Sequence, residues 1–100
     1  MKYKLFSKLA LEVSHVFRVD EKKMFAKNKD TEVVDARFLL YYLCKINKIK
    51  QVQIQNYMLE RGYDTPHTSI AYGVRSVTKK VEEDNEYQLV IDRINSVCMN

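Results

Sequence analysis

The chain has 100 residues, of which 46% are hydrophobic, and its formal net charge is +4. This length suits one domain with a single core and excludes an ATPase or a two-lobed enzyme. With only two Gly and one Pro, the composition excludes a turn-rich all-β fold and predicts long helices.

Charge is divided unevenly along the chain. Residues 1–80 hold 16 Lys and Arg against 8 Asp and Glu, a net charge of +8, whereas residues 81–100 have a net charge of −4. A basic body with an acidic end indicates a polyanionic partner for the body. The beginning of the chain lacks the pattern of a secretory signal, and no apolar run is long enough to span a membrane, so we expect a cytoplasmic protein.

Apolar spacing predicts the first three helices. The first covers about Lys4 to Phe17, and the second covers Glu21 to Phe25 after Asp20, whose carboxylate can cap it. A basic loop at 26–30 precedes the third helix. That helix runs from near Thr31 to about Ile46 and is apolar nearly all round in its middle, which is typical of the central helix of a bundle.

The fourth and fifth helices have the order of a helix-turn-helix. The fourth runs from about Gln51 to Glu60 and ends at Gly62, which can take the left-handed conformation. Thr65 is a good N-cap for the fifth helix, about Pro66 to Asp84, because a threonine side chain can accept a hydrogen bond from a first-turn N–H. Proline suits the first helical position, which follows it. A sixth, acidic helix is predicted at 86–98. We therefore predict one all-α domain over residues 1–100, a bundle of five to six helices.

Two stripes of the fifth helix share the spacing 4, 3, 4. The apolar stripe, which should face the core, contains Ile70, Val74, Val77 and Val81. The other stripe contains Thr68, Tyr72, Arg75 and Lys79. In a DNA-binding helix-turn-helix, the N-terminal residues of the second helix reach base edges in the major groove, and a helix N-terminus also favours a nearby phosphate.

Simpler explanations fit the same residues. The start of the fifth helix is also what a well-capped helix looks like, and Tyr72 would serve equally as a partly buried packing residue. Lys79 and Lys80 can form surface pairs with the acidic residues that follow them. A tyrosine pair such as Tyr41 and Tyr42 suits a core, although stacking on single-stranded DNA is an alternative use.

Catalytic and metal-binding patterns are weak. Cys44 and Cys98 form no CxxC pair, and the apolar surroundings of Cys44 indicate a buried free thiol. His67 has only His15 as a second histidine, and no nucleophile stands at a diagnostic spacing. We therefore expect no enzyme activity, no catalytic residues, no cofactor and no metal site.

Several short motifs fall in the order of a known domain. The first motif is a His followed by two hydroxyl residues and an aliphatic residue, His67-Thr68-Ser69-Ile70. It continues with an Arg that precedes another aliphatic residue, Arg75 with Val77. Upstream, on the long central helix, stand Ala36-Arg37 and Tyr42-Leu43. Over residues 13–81, this order resembles the C-terminal DNA-binding domain of the bacterial chromosomal replication initiator DnaA, whose bundle is similar to that of the Trp repressor.

The resemblance assigns roles to individual residues. It implies that His67, Thr68 and Ser69 read the major groove, that Lys27 and Lys29 reach an adjacent minor groove or phosphates, and that Arg37 and Arg75 grip the backbone or a base. The full set of predicted DNA-binding residues is Lys27, Lys29, Arg37, Thr65, His67, Thr68, Ser69, Tyr72, Arg75 and Lys79. Pro66 stands where the family has an acidic residue, so recognition of the standard initiator box does not follow.

The leading hypothesis is a stand-alone, monomeric protein that binds double-stranded DNA sequence-specifically in replication control or transcription regulation. A replication or transcription protein is a further candidate partner. The sequence contains no GxxxxGK[ST] phosphate loop, so no ATPase activity is expected. A short free-standing domain suits a phage or mobile element. The alternative hypothesis is a protein-interaction or phage structural module that kept the bundle without reading DNA.

Overall fold

The computed structural model describes residues 2–99, and that part of the chain contains six helices. In chain order they are α1 (Lys2–Phe17), α2 (Glu21–Met24), α3 (Thr31–Ile46), α4 (Gln51–Glu60), α5 (His67–Glu83) and α6 (Asn85–Met99). The prediction of an all-α bundle of five to six helices is therefore confirmed. The helix ends lie within two residues of the predicted ones, α1 differing most because it begins at Lys2.

Three helices end on a residue in the left-handed conformation. Arg18, Lys48 and Gly62 have φ angles of 54°, 64° and 97°. In each case the following N–H donates to a carbonyl five residues back, joining Val19 to Ser14 (3.0 Å), Ile49 to Cys44 (2.9 Å) and Tyr63 to Met58 (2.9 Å). This is the hydrogen-bond pattern of a Schellman cap. The predicted left-handed turn at Gly62 is confirmed, and it directs the chain from α4 toward α5.

Capping residues were predicted correctly for α2 and incorrectly for α5. The Lys22 N–H donates to Asp20 Oδ1 over 3.0 Å, as expected. At α5, the Pro66 carbonyl accepts the first helical bonds, from the Ser69 N–H (3.1 Å) and the Ile70 N–H (3.3 Å). Pro66 is therefore the N-cap and Thr65 precedes it. The prediction of Thr65 as the cap was wrong because its side chain is buried rather than turned toward the first helical N–H groups.

The long apolar helix α3 lies at the centre and packs against α1, α2, α4 and α5. Its middle is buried nearly all round, as predicted, through Leu39, Leu40, Tyr41, Leu43 and Cys44. Helix α6 packs mainly on α1 and α5, with Ile91, Ile94 and Cys98 buried. All six helices contribute to one hydrophobic core, and each fully buried Leu or Ile stabilises it by about 1.5–3 kcal/mol.

Four apolar residues whose spacing fits the core faces of their helices are instead exposed. Val16 and Ile46 lie in the last turns of their helices and are each 42% exposed. Val52 and Leu59 lie on the outer side of α4, because that short helix buries only Ile54 and Met58. The prediction that Cys44 is a buried free thiol is confirmed.

Helix α5 approaches α3 closely at Gly73. A Cβ atom at this position would lie 2.6 Å from Phe38 Cδ1 and 3.0 Å from Tyr41 Cδ2, both shorter than or at the limit of real contacts. The absent side chain therefore sets how deeply α5 packs. No helix in the described part of the chain is long and apolar enough to cross a membrane.

Candidate nucleic-acid interface

A groove of about 630 Å³ separates the start of α5 from the loop between α2 and α3. We call it the loop groove. Seven of the ten predicted site residues line it, namely Lys27, Lys29, Arg37, Thr65, Thr68, Ser69 and Tyr72. No Asp or Glu is among its lining residues. The fold therefore brings the basic loop beside the N-terminal half of α5.

The two walls of the loop groove carry different chemistry. Lys27 and Lys29 are exposed on the loop, whereas Thr68 is exposed and Ser69 half-buried on α5. Tyr72 is 59% exposed, and its ring meets that of Phe38 edge-on at 5.7 Å between centroids. One wall thus supplies cations, and the other supplies hydroxyl groups and an aromatic edge.

The floor of the loop groove is closed by Tyr41. Burial raises the pKa of its phenol to about 12, even further above physiological pH than that of a free phenol, so the group stays neutral. The groove therefore combines an uncharged floor with a cationic wall.

Arg37 does not lie where a DNA phosphate could reach it, which corrects the role implied by the resemblance. Its side chain is 4% exposed and reaches into the loop. Nε donates to the Met24 carbonyl (2.7 Å), and Nη2 donates to the carbonyls of Ala26 (2.6 Å) and Asn28 (3.0 Å). The guanidinium also lies 4.4 Å from the centre of the Tyr63 ring. Arg37 therefore holds the loop that carries Lys27 and Lys29.

Thr65 is also unavailable for direct contact with DNA. It is 2% exposed, and its carbonyl accepts a hydrogen bond from Gln55 Nε2 over 3.0 Å. The residue therefore ties the turn to α4. Its assignment to the DNA-binding set is corrected to a structural role.

The remaining predicted residues lie outside the loop groove but on accessible parts of α5. His67 is exposed at the first position of the helix, and its carbonyl accepts from Gln51 Nε2 over 2.7 Å. Arg75 and Lys79 are exposed further along, beside a shallow depression that also contains Glu83. The stripe predicted from spacing is therefore an exposed face of α5.

A second cleft, of about 450 Å³, lies on another side of α5 between the end of α3 and the start of α4. We call it the α4 cleft. Four cations line it, namely Lys45, Lys48, Lys50 and Arg75, and no Asp or Glu does. Sequence reasoning missed the three lysines. Their signal was three Lys within the six residues that lead into α4.

No acidic residue of the described chain lines the loop groove or the α4 cleft. In the described part of the chain, carboxylates approach basic groups within salt-bridge distance only at Lys80–Asp35 (3.2 Å) and His15–Glu12 (3.9 Å). None of the five acidic residues of 81–100 lines the loop groove or the α4 cleft. The cations that line the loop groove and the α4 cleft therefore have no salt-bridge partner within the described residues.

Neither a metal-binding cluster nor a reactive thiol is found in residues 2–99. No cluster of three or more His, Cys, Asp or Glu side chains there could hold a metal ion. Burial raises the pKa of the Cys44 thiol, which keeps it protonated, and burial likewise raises the pKa of Cys98. Both thiols are therefore poor nucleophiles and poor ligands.

The chain matches no protein-family model.

Proposed function

We propose that this protein binds double-stranded DNA sequence-specifically, with the N-terminal half of α5 in the major groove. One observation carries the proposal: a hydrogen-bonding tip lies between two cationic flanks. The tip is His67, Thr68 and Ser69, and the flanks are the loop groove and the α4 cleft. A duplex offers the same order, with base edges between two rows of phosphates.

The charges and the tip would contribute differently to binding. Six exposed cations flank the tip, namely Lys27, Lys29, Lys45, Lys48, Lys50 and Arg75. Contacts from five or six of these to phosphates predict that the logarithm of the affinity falls with the logarithm of the salt concentration, with a slope of magnitude roughly 4 to 5. A slope near zero in a titration from low to high salt would contradict the proposal.

Selection of bound duplexes from a random pool is the experiment that tests the proposal directly. We expect a preferred sequence, which would then serve for comparison with random duplex. Thr68→Ala should lower the preference by about 1–3 kcal/mol at one or two base positions, because a hydroxyl contact to a base edge is lost. Lys29→Ala should weaken binding to all duplexes alike.

Matched controls lie elsewhere on the surface. Thr78→Ala removes an exposed threonine from the same helix, where its hydroxyl donates to the Val74 carbonyl over 2.8 Å. Lys8→Ala removes an exposed lysine from α1. Neither control should change discrimination or affinity. If Thr68→Ala and Thr78→Ala behaved alike, α5 would not enter the groove tip first.

The resemblance to the initiator domain supports a role in replication control or transcription regulation. A monomer fits this role, because α5 presents the tip and both flanks from one chain. Such a protein would act with DNA in the cytoplasm of a bacterial or phage-infected cell. Pro66 stands directly before the tip, where the initiator domain has an acidic residue. Recognition of the standard initiator box therefore does not follow from the resemblance.

A protein-interaction or phage structural module is the second candidate, and exposed apolar side chains on α6 favour it. Leu89 is 66% exposed and Val97 is 52% exposed, on a helix that lines neither cationic side of α5. Exposed apolar residues of this kind suit a protein interface. Failure to retard any duplex at low salt, together with a stable complex with another protein, would favour this candidate over DNA binding.

A further inference from the structure

The α4 cleft differs from a plain phosphate-binding surface because it has an apolar floor. Ile49, Ile54 and Ile70 form the base of the floor and are almost fully buried, and Val74 and Ala71 are half-buried above them. DNA phosphates gain nothing from apolar groups. The floor therefore calls for a ligand with an apolar body.

The rim of the cleft is cationic. Lys45, Lys48, Lys50 and Arg75 are all exposed there, and no carboxylate in residues 2–99 lies within salt-bridge distance of them. The N-terminal end of α4 also opens beside the cleft and adds partial positive charge. An anionic group would be held over the apolar floor, with Arg75 offering the planar fork that pairs with carboxylates.

We propose that the α4 cleft binds a small amphiphilic anion, an acid with an aliphatic or aromatic body. The cleft volume of about 450 Å³ lies within the range of roughly 300–1,000 Å³ that small-molecule sites have. The apolar body packs on Val74 and Ala71, and the acidic head lies among the lysines and Arg75. This site is separate from the loop groove.

A regulatory consequence follows, and it rests on the proposed DNA-binding function. Arg75 lines the α4 cleft and also belongs to the exposed face of α5. A bound anion would neutralise this flank and engage Arg75, so it would oppose the approach of a phosphate row. Ligand and DNA should therefore weaken each other's binding by the same factor.

The ligand site is tested by titrating the isotope-labelled full chain with decanoate, below the concentration at which it forms micelles, and following backbone amide shifts by NMR. We expect one saturable site with shifts confined to residues 48–51 and 70–75. Decanol, which has the same apolar chain without the charge, should bind about tenfold more weakly or worse. Shifts spread over the rest of the surface, or equal binding of decanol, would overturn the proposal.

Three variants localise the site. The double variant Lys48→Ala with Lys50→Ala should weaken decanoate binding about tenfold, because two charge contacts are lost. The matched double variant Lys22→Ala with Lys23→Ala removes two exposed lysines from α2 and should leave binding unchanged. Ala71→Phe should block the cleft while circular dichroism confirms that the helices remain. Equal weakening by the two lysine pairs would overturn the proposal.

The regulatory consequence has its own test. Decanoate should reduce retardation of the selected duplex, whereas decanol at the same concentration should not. If decanoate binds the cleft and retardation is unchanged, the antagonism is wrong and the ligand site stands. If no duplex is retarded although decanoate binds as expected, the proposed DNA-binding function fails and the ligand site again stands.

Discussion

The loop groove and the α4 cleft lie beside the same helix, but different interactions hold them in place. The wall of the loop groove is an irregular segment fixed by Arg37. This side chain donates to the carbonyl of Met24, at the end of α2, and to the carbonyls of Ala26 and Asn28 in the loop. The α4 cleft is bounded by the end of α3 and the start of α4, with a Schellman cap at Lys48 and a floor of buried isoleucines. One side depends on a single polar side chain, and the other depends on apolar packing.

This difference teaches how the two sides should respond to mutation. Loss of one apolar floor residue should affect the whole fold, because α4 contributes few buried side chains and each one matters. Loss of Arg37 should act mainly on the loop, whose carbonyls can turn to water. Substitutions on the two sides should therefore separate global stability from local order.

The largest effect is expected for Ile54→Ala, which removes one of only two fully buried side chains of α4. The loss of buried methylene groups and the cavity left behind should lower the free energy of unfolding by about 2–5 kcal/mol. Val52→Ala, at a position 51% exposed on the same helix, is the matched control and should change it by less than about 0.5 kcal/mol. Denaturant titration measures both. A small loss for Ile54→Ala would mean that α4 is not anchored by its apolar floor.

Sequence alone predicted more of the helices than of the sites. Periodic apolar residues and local caps such as Asp20 and Gly62 act over a few positions, so their consequences are readable from the chain. The role of Arg37 was not, because its acceptors are main-chain carbonyls 9 to 13 residues away whose directions depend on the folded loop. Motif matching assigned this arginine a surface contact, whereas its side chain is buried against the loop.

The α4 cleft illustrates the same limit from the other side. The three lysines of the cleft lie at the end of α3 (Lys45) and in the turn before α4 (Lys48 and Lys50). The left-handed φ of Lys48 sets the direction of this turn, and nothing in the spacing of the lysines shows that they converge on Arg75. Val52 has the spacing of a core residue, but α4 is too lightly packed to bury it. Tertiary packing decides such positions.

Arg37→Ala should have the next largest effect. Removing a guanidinium that donates three short hydrogen bonds should lower the free energy of unfolding by about 2–3 kcal/mol. The loss stays this small because the freed carbonyls regain water. The sharper readout is local: trypsin should cleave after Lys27 and Lys29 under native conditions much faster than in the parent protein. Arg37→Lys should recover only part of the protection, because an ammonium cannot match the planar fork.

The control for this prediction is Arg93→Ala, which removes an exposed arginine from α6. It should leave both stability and the cleavage pattern unchanged. If Arg37→Ala lowered stability without exposing the loop to trypsin, then Arg37 would support the core and not the loop. The contrast between the two sides of α5 would then be lost.

The smallest expected change in stability is for Gly73→Ala, but it should affect both sides of α5 together. The added Cβ would meet Phe38 Cδ1 at 2.6 Å, so α5 or the Phe38 ring must shift, at a cost of about 1–3 kcal/mol. The better helix propensity of alanine offsets roughly 1 kcal/mol of this. Denaturant titration should therefore show a net loss of about 1 kcal/mol, and weaker DNA binding should accompany it because the tip moves relative to both flanks.

A double-mutant cycle with Phe38→Leu identifies the cause of that loss. The smaller side chain at 38 gives the new methyl group room, so Gly73→Ala should be neutral or stabilising in the Phe38→Leu background. Ser76→Ala, on the same helix and away from Phe38, supplies the propensity gain alone and should stabilise slightly. An unchanged cost in the Phe38→Leu background would place the obstruction at Tyr41, whose Cδ2 lies 3.0 Å from the added Cβ.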